Sequence, residues 1–149
     1  MDNFESGESL SDVQTTQRFP EDLVAEQGSQ LSPEEQAAIN ALPSGSALLI
    51  VTRGGELGSR FLLDQDVTTV GRHPNADIFL DDVTVSRRHA EFHRHGTAFE
   101  LRDLASLNGT YFDGVRIDTA LLENGAEVQI GKFRLAFFAS RHDLPKANQ

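Results

Sequence analysis

From Ala47 onward the apolar residues fall into short runs with polar and turn-forming residues between them. The segments with strand character are "ALLIVTR", "SRFLLD", "TTVGR", "DIFL", "HAEFHRH", "AFELRDL", "GTYF", "EVQI" and "FRLAFFA". Helical periodicity is missing throughout this stretch, and the breaks carry residues that accept positive φ or preset a bend: Gly54-Gly55, His73-Pro74, Asn108-Gly109, Asp113-Gly114, Asn124-Gly125 and Gly131. Many short strands at this spacing predict an all-β sandwich or barrel, not a parallel α/β sheet. Such folds gather their loops at two ends. A ligand site here is therefore expected where several loops meet at one end of a rigid scaffold.

Before Ala47 the pattern changes. In "SPEEQAAINAL" Ser32 is placed as an N-cap, Pro33 in the first turn and Glu35 to complete a capping box, with Pro43 as the stop. Such a short helix is marginal on its own and reads as a helix-prone linker. The rest of the segment holds few apolar residues and most of the excess charge. Residues 1–45 carry nine acids and one base, a net −8, whereas the other 14 acids and 12 bases leave −2. A segment of that composition cannot bury enough apolar surface to offset its chain entropy, so a disordered acidic tail is expected. The expected organisation is a tail over 1–45, a β-domain over 46–140 and a C-terminal tail over 141–149.

Cysteine is absent, which removes disulfides and thiolate zinc sites and fits a reducing compartment. The longest apolar runs, "ALLIV" and "LAFFA", are five residues each, and the acidic N-terminus has no secretory hydrophobic stretch. The chain reads as a soluble cytoplasmic protein with no membrane partner. Its formal charge of −10 disfavours binding along a nucleic-acid backbone, although a compact cation cluster can still hold one phosphate.

Three loop segments offer groups that can face an anion: "GRHP" with Arg72, "VSRRH" with Ser86, Arg87, Arg88 and His89, and "SLNGT" with Leu107 and Asn108. A phosphomonoester presents about −1.5 to −2 charge and three acceptor oxygens, so it calls for a fixed guanidinium, a short hydroxyl and backbone N–H groups exposed at tight turns. An asparagine amide both donates and accepts, which suits clamping the main chain of an extended peptide. Arg88 reads as a solvated surface charge, and His89 as a hydrogen-bonded structural histidine. Ser86 and His89 near Asp81 or Asp82 do not make a hydrolase, because the G-x-S-x-G elbow is missing and no oxyanion site is evident. His93 and His95 share one strand face and read as exposed strand residues; no metal and no cofactor is assigned.

The ordered set "GRHPNADIFLDDVTVSRRHAEF" followed by "SLNGTY" resembles the forkhead-associated (FHA) domain, with its Gly-Arg, Ser-x-x-His and Asn-Gly elements. The resemblance implies an eleven-stranded antiparallel β-sandwich that binds phosphothreonine peptides through loops at one end. By position it implies phosphate contacts from Arg72, Ser86 and Arg87. Leu107 stands where other members often place a polar phosphate contact, so that contact can come only from its backbone N–H. Asn108 is implied to hold the peptide main chain, with Gly71, His89 and Gly109 supporting loop shape.

The tail contains "DVQTTQRF", where Thr15 and Thr16 are candidate phosphoacceptors and Phe19 stands three residues after Thr16. About 30 residues of linker span roughly 30 Å r.m.s., against a domain radius of gyration of about 13 Å, so the tail can reach the pocket. The threonine pair, linker and domain together are similar to the actinobacterial FHA regulators of the GarA and OdhI type. That similarity implies a monomer without enzymatic activity whose unphosphorylated form inhibits the E1 component of 2-oxoglutarate dehydrogenase. In some members it also implies inhibition of glutamate dehydrogenase and activation of glutamate synthase. A serine/threonine kinase would phosphorylate the tail, and self-capture would release the enzymes. Gln14 replaces the usual acidic residue there, and Gln17-Arg18 follow the pair. The alternative is a scaffold that recruits kinases or other phosphoproteins.

Overall fold

The structure is a computed structural model that describes residues 31–145. Residues 1–30 of the expected 1–45 tail, Thr15, Thr16 and Phe19 among them, and the last four residues of the C-terminal tail lie outside the described residues; residues 31–45 are described, with a helix over Pro33–Asn40 and with Ile39 and Leu42 buried. The chain divides between Ala37 and Ala38, within helix α1 (Pro33–Asn40). The first turn of α1 carries the expected capping box: Glu35 N–H donates to Ser32 Oγ at 3.0 Å, and Ser32 N–H donates to Glu35 Oε1 at 3.0 Å.

From Ala38 on, the described residues form eleven strands in two sheets. They are β1 (Ala47–Arg53), β2 (Arg60–Leu63), β3 (Val67–Gly71), β4 (Ile78–Phe79), β5 (Ala90–His95), β6 (Ala98–Asp103), β7 (Thr110–Phe112), β8 (Val115–Ile117), β9 (Thr119–Leu121), β10 (Glu127–Ile130) and β11 (Phe133–Ala139). One sheet has the order β2-β1-β11-β10-β7-β8, the other β4-β3-β5-β6-β9. The alternation along β6, β10 and β11 buries one face: Phe99 and Leu101, Val128 and Ile130, Phe133, Leu135 and Phe137 all enter the core. Phe99 of one sheet meets Phe137 of the other edge-on, ring centroids 5.8 Å apart. With Leu49, Leu63, Val70 and Phe92 they form one apolar layer between the sheets.

Every segment expected to be extended contains a strand, and two further strands appear. β8 and β9 are three-residue strands with mixed exposure, so no apolar alternation announces them. β8 is created by its turn: Asp113 (φ 48) and Gly114 (φ 86) both take positive φ, the geometry that folds a tight hairpin onto β7. One pairing is not antiparallel. β4 runs parallel to β3 because Asp77 brings the chain back beside Thr69, accepting from its N–H at 2.9 Å while donating its own N–H to Thr69 Oγ1.

The flanks of the sandwich are packed as well. Ile39 and Leu42 are buried. Ser140 Oγ donates to Leu42 O at 2.9 Å, and the Asp143 carboxylate receives the Ser44 hydroxyl and the Gly45 N–H. The chain thus enters β1 under a clasp made by the residues that follow β11.

Candidate functional site

The site loops lie at the pole away from that clasp. The β3–β4 loop meets the β4–β5 loop where Arg72 N–H donates to Ser86 O at 3.0 Å. Gly71 permits the approach: a Cβ there would stand 2.0 Å from Arg87 O. The Arg72 Nε–H donates to Val85 O at 3.0 Å, which fixes the plane of the guanidinium. Its terminal N–H groups bond no described residue.

The β4–β5 and β6–β7 loops are joined by a second set of bonds. Leu107 N–H donates to Ser86 Oγ, and Asn108 Nδ2 donates to Thr84 O, both at 3.0 Å. Beneath them His89 is fully buried and joins both loops: Ser86 N–H donates to its Nδ1 at 3.0 Å, which leaves Nε2–H to donate to Gly109 O at 2.9 Å. Burial lowers the affinity of this imidazole for a proton, against the Gly109 carbonyl and the Asp103 charge, which act to raise it; the net shift is downward. The neutral ring is therefore the form the site is built around. Gly109 takes φ +89, and a Cβ there would meet Arg116 Nε at 2.8 Å.

Two supporting groups went unrecognised in the sequence. Asp103, at the end of β6, takes the Ser106 and Thr110 hydroxyls and the Ser106 N–H, while Ser106 Oγ accepts Gly109 N–H. Burial pushes the Asp103 carboxyl up, but the bonds from Ser106 and Thr110 outweigh it and hold the group below the usual carboxylate range. The Asp-x-x-Ser spacing of an Asx-type turn was the available signal. Asp82 takes the Thr84 hydroxyl and N–H and pairs with Lys132 at 3.2 Å. Those hydrogen bonds, with Lys132 assisting, draw its pKa down to about 2. Lys132 N–H in turn donates to Thr84 Oγ1 at 2.9 Å, tying the β10–β11 turn to the same end.

Arg72, Ser86, Leu107 and Asn108 are thus brought together through backbone and side-chain bonds. Arg87 is exposed beside them; with Arg88 it borders a depression of about 270 Å³ that also touches His73, Asn75 and Glu91. Asn108, Thr84, Tyr111 and Lys132 line a wider groove of about 550 Å³. The geometry suits an anion, since cations, a hydroxyl and an amide converge on pinned loops. It does not suit nucleophilic catalysis: Ser86 presents its backbone N–H, not its hydroxyl, to His89, and the second ring nitrogen faces a carbonyl. His93 and His95 lie on the outer sheet face, bonded to Glu91 and Glu100, and no metal-binding group of three is found among the described residues. No helix among the described residues is long and apolar enough to cross a membrane.

A two-sheet sandwich that carries Gly-Arg, Ser-x-x-His and Asn-Gly on converging loops is an FHA module, a phosphothreonine-reading class. An FHA domain family model matches residues 68–131. The chain is 54% identical over 134 residues to the oxoglutarate dehydrogenase inhibitor of Corynebacterium jeikeium, covering 89% of this chain and 92% of that one. It is 56% identical over 128 residues to the glycogen accumulation regulator GarA of Mycolicibacterium smegmatis, covering 84% and 81%. Among solved structures, an FHA domain studied for phosphothreonine-dependent interactions matches at TM-score 0.58 and 29% identity, over 62% of this chain and 95% of that one. Mycobacterium tuberculosis EmbR in complex with a low-affinity phosphopeptide matches at TM-score 0.61 and 26% identity, over 80% and 29%. The chain belongs to the FHA family, in the group of the oxoglutarate dehydrogenase inhibitors and GarA regulators.

Proposed function

We propose that this protein is a cytoplasmic, non-enzymatic, phosphorylation-switched regulator of central metabolism. Unphosphorylated, it binds and inhibits the E1 component of 2-oxoglutarate dehydrogenase through the Arg72, Ser86, Asn108 end, and it acts likewise on glutamate dehydrogenase while activating glutamate synthase. A serine/threonine kinase modifies Thr15 or Thr16, and the FHA domain, residues 46–140, captures its own tail. Arg72, Ser86 and Arg87 meet the phosphate; Asn108 holds the peptide main chain. The Leu107 N–H already serves Ser86 Oγ, so any phosphate contact from it shares that donor.

The observation that supports this reading is that Arg72 bonds through its backbone to Ser86 O and through Nε to Val85 O while Ser86 Oγ takes the Leu107 N–H, so that a cation and a hydroxyl sit on loops bonded to one another. A partner carboxylate can occupy the same point as a weaker imitation of phosphate, which makes capture of the tail and capture of the enzyme mutually exclusive. With an effective tail concentration near 1 mM and a micromolar site, the closed form exceeds the open by roughly 1000 to 1, about 4 kcal/mol. The test is 2-oxoglutarate dehydrogenase activity titrated with the unphosphorylated and the tail-phosphorylated protein. Inhibition by the first and relief with the second is expected. Equal inhibition by both, or recovery from lysate of kinases without any dehydrogenase, would overturn the reading in favour of a recruiting scaffold.

A further inference from the structure

Two branched aliphatic side chains stand out at the recognition end. Val83 is 84% exposed and Leu107 is 83% exposed, the highest values among the large hydrophobic residues described as exposed. Lone exposed aliphatics are ordinary on a protein surface. These two are placed differently, because each immediately precedes a partner in the bond between Asn108 Nδ2 and Thr84 O. Val83 precedes Thr84 and Leu107 precedes Asn108, so they occupy the two loops that border the anion site.

Their backbone is also held. Thr84 N–H and hydroxyl are fixed on Asp82, Lys132 N–H is fixed on Thr84 Oγ1, and Leu107 N–H is fixed on Ser86 Oγ. The loops cannot readily fold these side chains away from water without breaking those bonds. A rigid apolar rim has little freedom left to lose on binding, and that is what makes a protein contact efficient. Arg72, Arg87 and Arg88, all exposed, supply positive charge alongside.

We infer that Val83 and Leu107 form an apolar rim that recognises a folded protein presenting a carboxylate flanked by an aliphatic or aromatic side chain. The inference deepens the proposed function and rests on its premise that an unphosphorylated partner occupies the same end. Charge sets the requirement: a carboxylate offers one negative charge and two oxygens, whereas a phosphomonoester offers about −1.5 to −2 and three. A partner without phosphate has to regain that deficit over apolar area, and the rim is the apolar area next to the anion site. A phosphothreonine peptide depends on the rim far less, since its charge-assisted bonds carry the contact.

The test uses full-length unphosphorylated protein with Val83→Ser, with Leu107→Ala, which keeps the backbone N–H on Ser86 Oγ and adds no polar group beside the phosphate, and with the double substitution. Each is assayed for inhibition of purified 2-oxoglutarate dehydrogenase and for binding of a phosphothreonine peptide made from residues 11–20. The double variant is expected to lose about tenfold or more in inhibitory potency while peptide affinity changes by less than about threefold, with thermal stability unchanged. Unchanged inhibition would overturn the rim alone, and so would an equal loss in both assays. If the wild-type protein inhibits nothing yet binds the peptide, the premise fails and the inference with it. Rescue of potency by Val83→Ile and Leu107→Met supports an apolar contact over a structural effect.

Discussion

The backbone N–H of Leu107 donates to the hydroxyl oxygen of Ser86 at 3.0 Å, joining residues twenty-one positions apart. Because the Ser86 oxygen already accepts, its own proton is free to point outward at an anion. The bond both locates the hydroxyl and orients it.

Ser86→Ala removes that outward donor and releases Leu107 N–H, which lies at an exposed position where water can take over. A hydrogen bond to a charged group contributes about 1.5–3 kcal/mol, so affinity for a phosphothreonine peptide should fall about ten- to a hundredfold. Thermal stability should change little. Calorimetric titration against residues 31–149 checks the first point and a melting curve the second; affinity within about twofold of wild type would remove Ser86 from the contact.

Gly71→Ala attacks the scaffold instead. A Cβ at 71 stands 2.0 Å from Arg87 O and 2.8 Å from its carbonyl carbon, both backbone atoms that cannot swing aside. The β4–β5 loop must shift, with a destabilisation of about 1–3 kcal/mol or more. Phosphopeptide binding should fall even at temperatures where the variant is fully folded, because Arg72 and Ser86 share the displaced backbone. Binding and unfolding measured on one sample separate the two effects.

Much of this site could be read from the chain because its chemistry sits on turn residues. Gly71-Arg72, Ser86 to His89 and Asn108-Gly109 are short local patterns, and the fold places them as their order suggests. What stayed hidden depends on distance in sequence. The three bonds between Asp77 and Thr69 bring β4 beside β3 in the parallel sense, and nothing in "GRHPNAD" announces them. The short edge strands β8 and β9 bury too little for periodicity to register. Asp103 closes "AFELRD", where the Asp-x-x-Ser spacing marks its turn to Ser106 at most; that Thr110 also returns to it is set by folding. The use of Leu107 N–H inside the protein was equally illegible, since a backbone donor leaves no trace in residue type.

The buried His89 makes stability depend on pH in a defined direction. Its folded-state pKa lies below the ordinary 6.5, so the unfolded chain takes up a proton at a pH where the folded one does not. The contribution is therefore complete above the unfolded value and diminishes as pH falls through it, by at most about 1.4 kcal/mol per pH unit from this one group. Denaturant unfolding between pH 7.5 and 5.5, values spanning that range at about one unit on each side, should show the decline. In His89→Gln the slope should flatten while the protein is less stable at both ends. A wild-type stability that rises on acidification across this window would contradict the neutral imidazole.

The last prediction concerns the switch. Arg72 offers a guanidinium edge that bonds no described residue and is held in place by the Nε–H bond to Val85 O, and it lies at the same end as Ser86. If the tail phosphate docks there, the phosphorylated chain blocks its own site. Phosphorylated wild type should then lose affinity for an added phosphothreonine peptide by a large factor, up to about 1000-fold for millimolar effective concentration over a micromolar site. A truncated chain of residues 31–149, which keeps the buried Ile39 and Leu42 but lacks the threonine pair, should bind that peptide normally after treatment with the same kinase. Arg72→Ala in the phosphorylated full-length protein should give tail resonances with the sharp lines and narrow dispersion of a free segment, while wild type should show dispersed ones. Identical tail spectra in the two proteins, together with undiminished peptide binding by phosphorylated wild type, would mean the tail is a signal read by another protein.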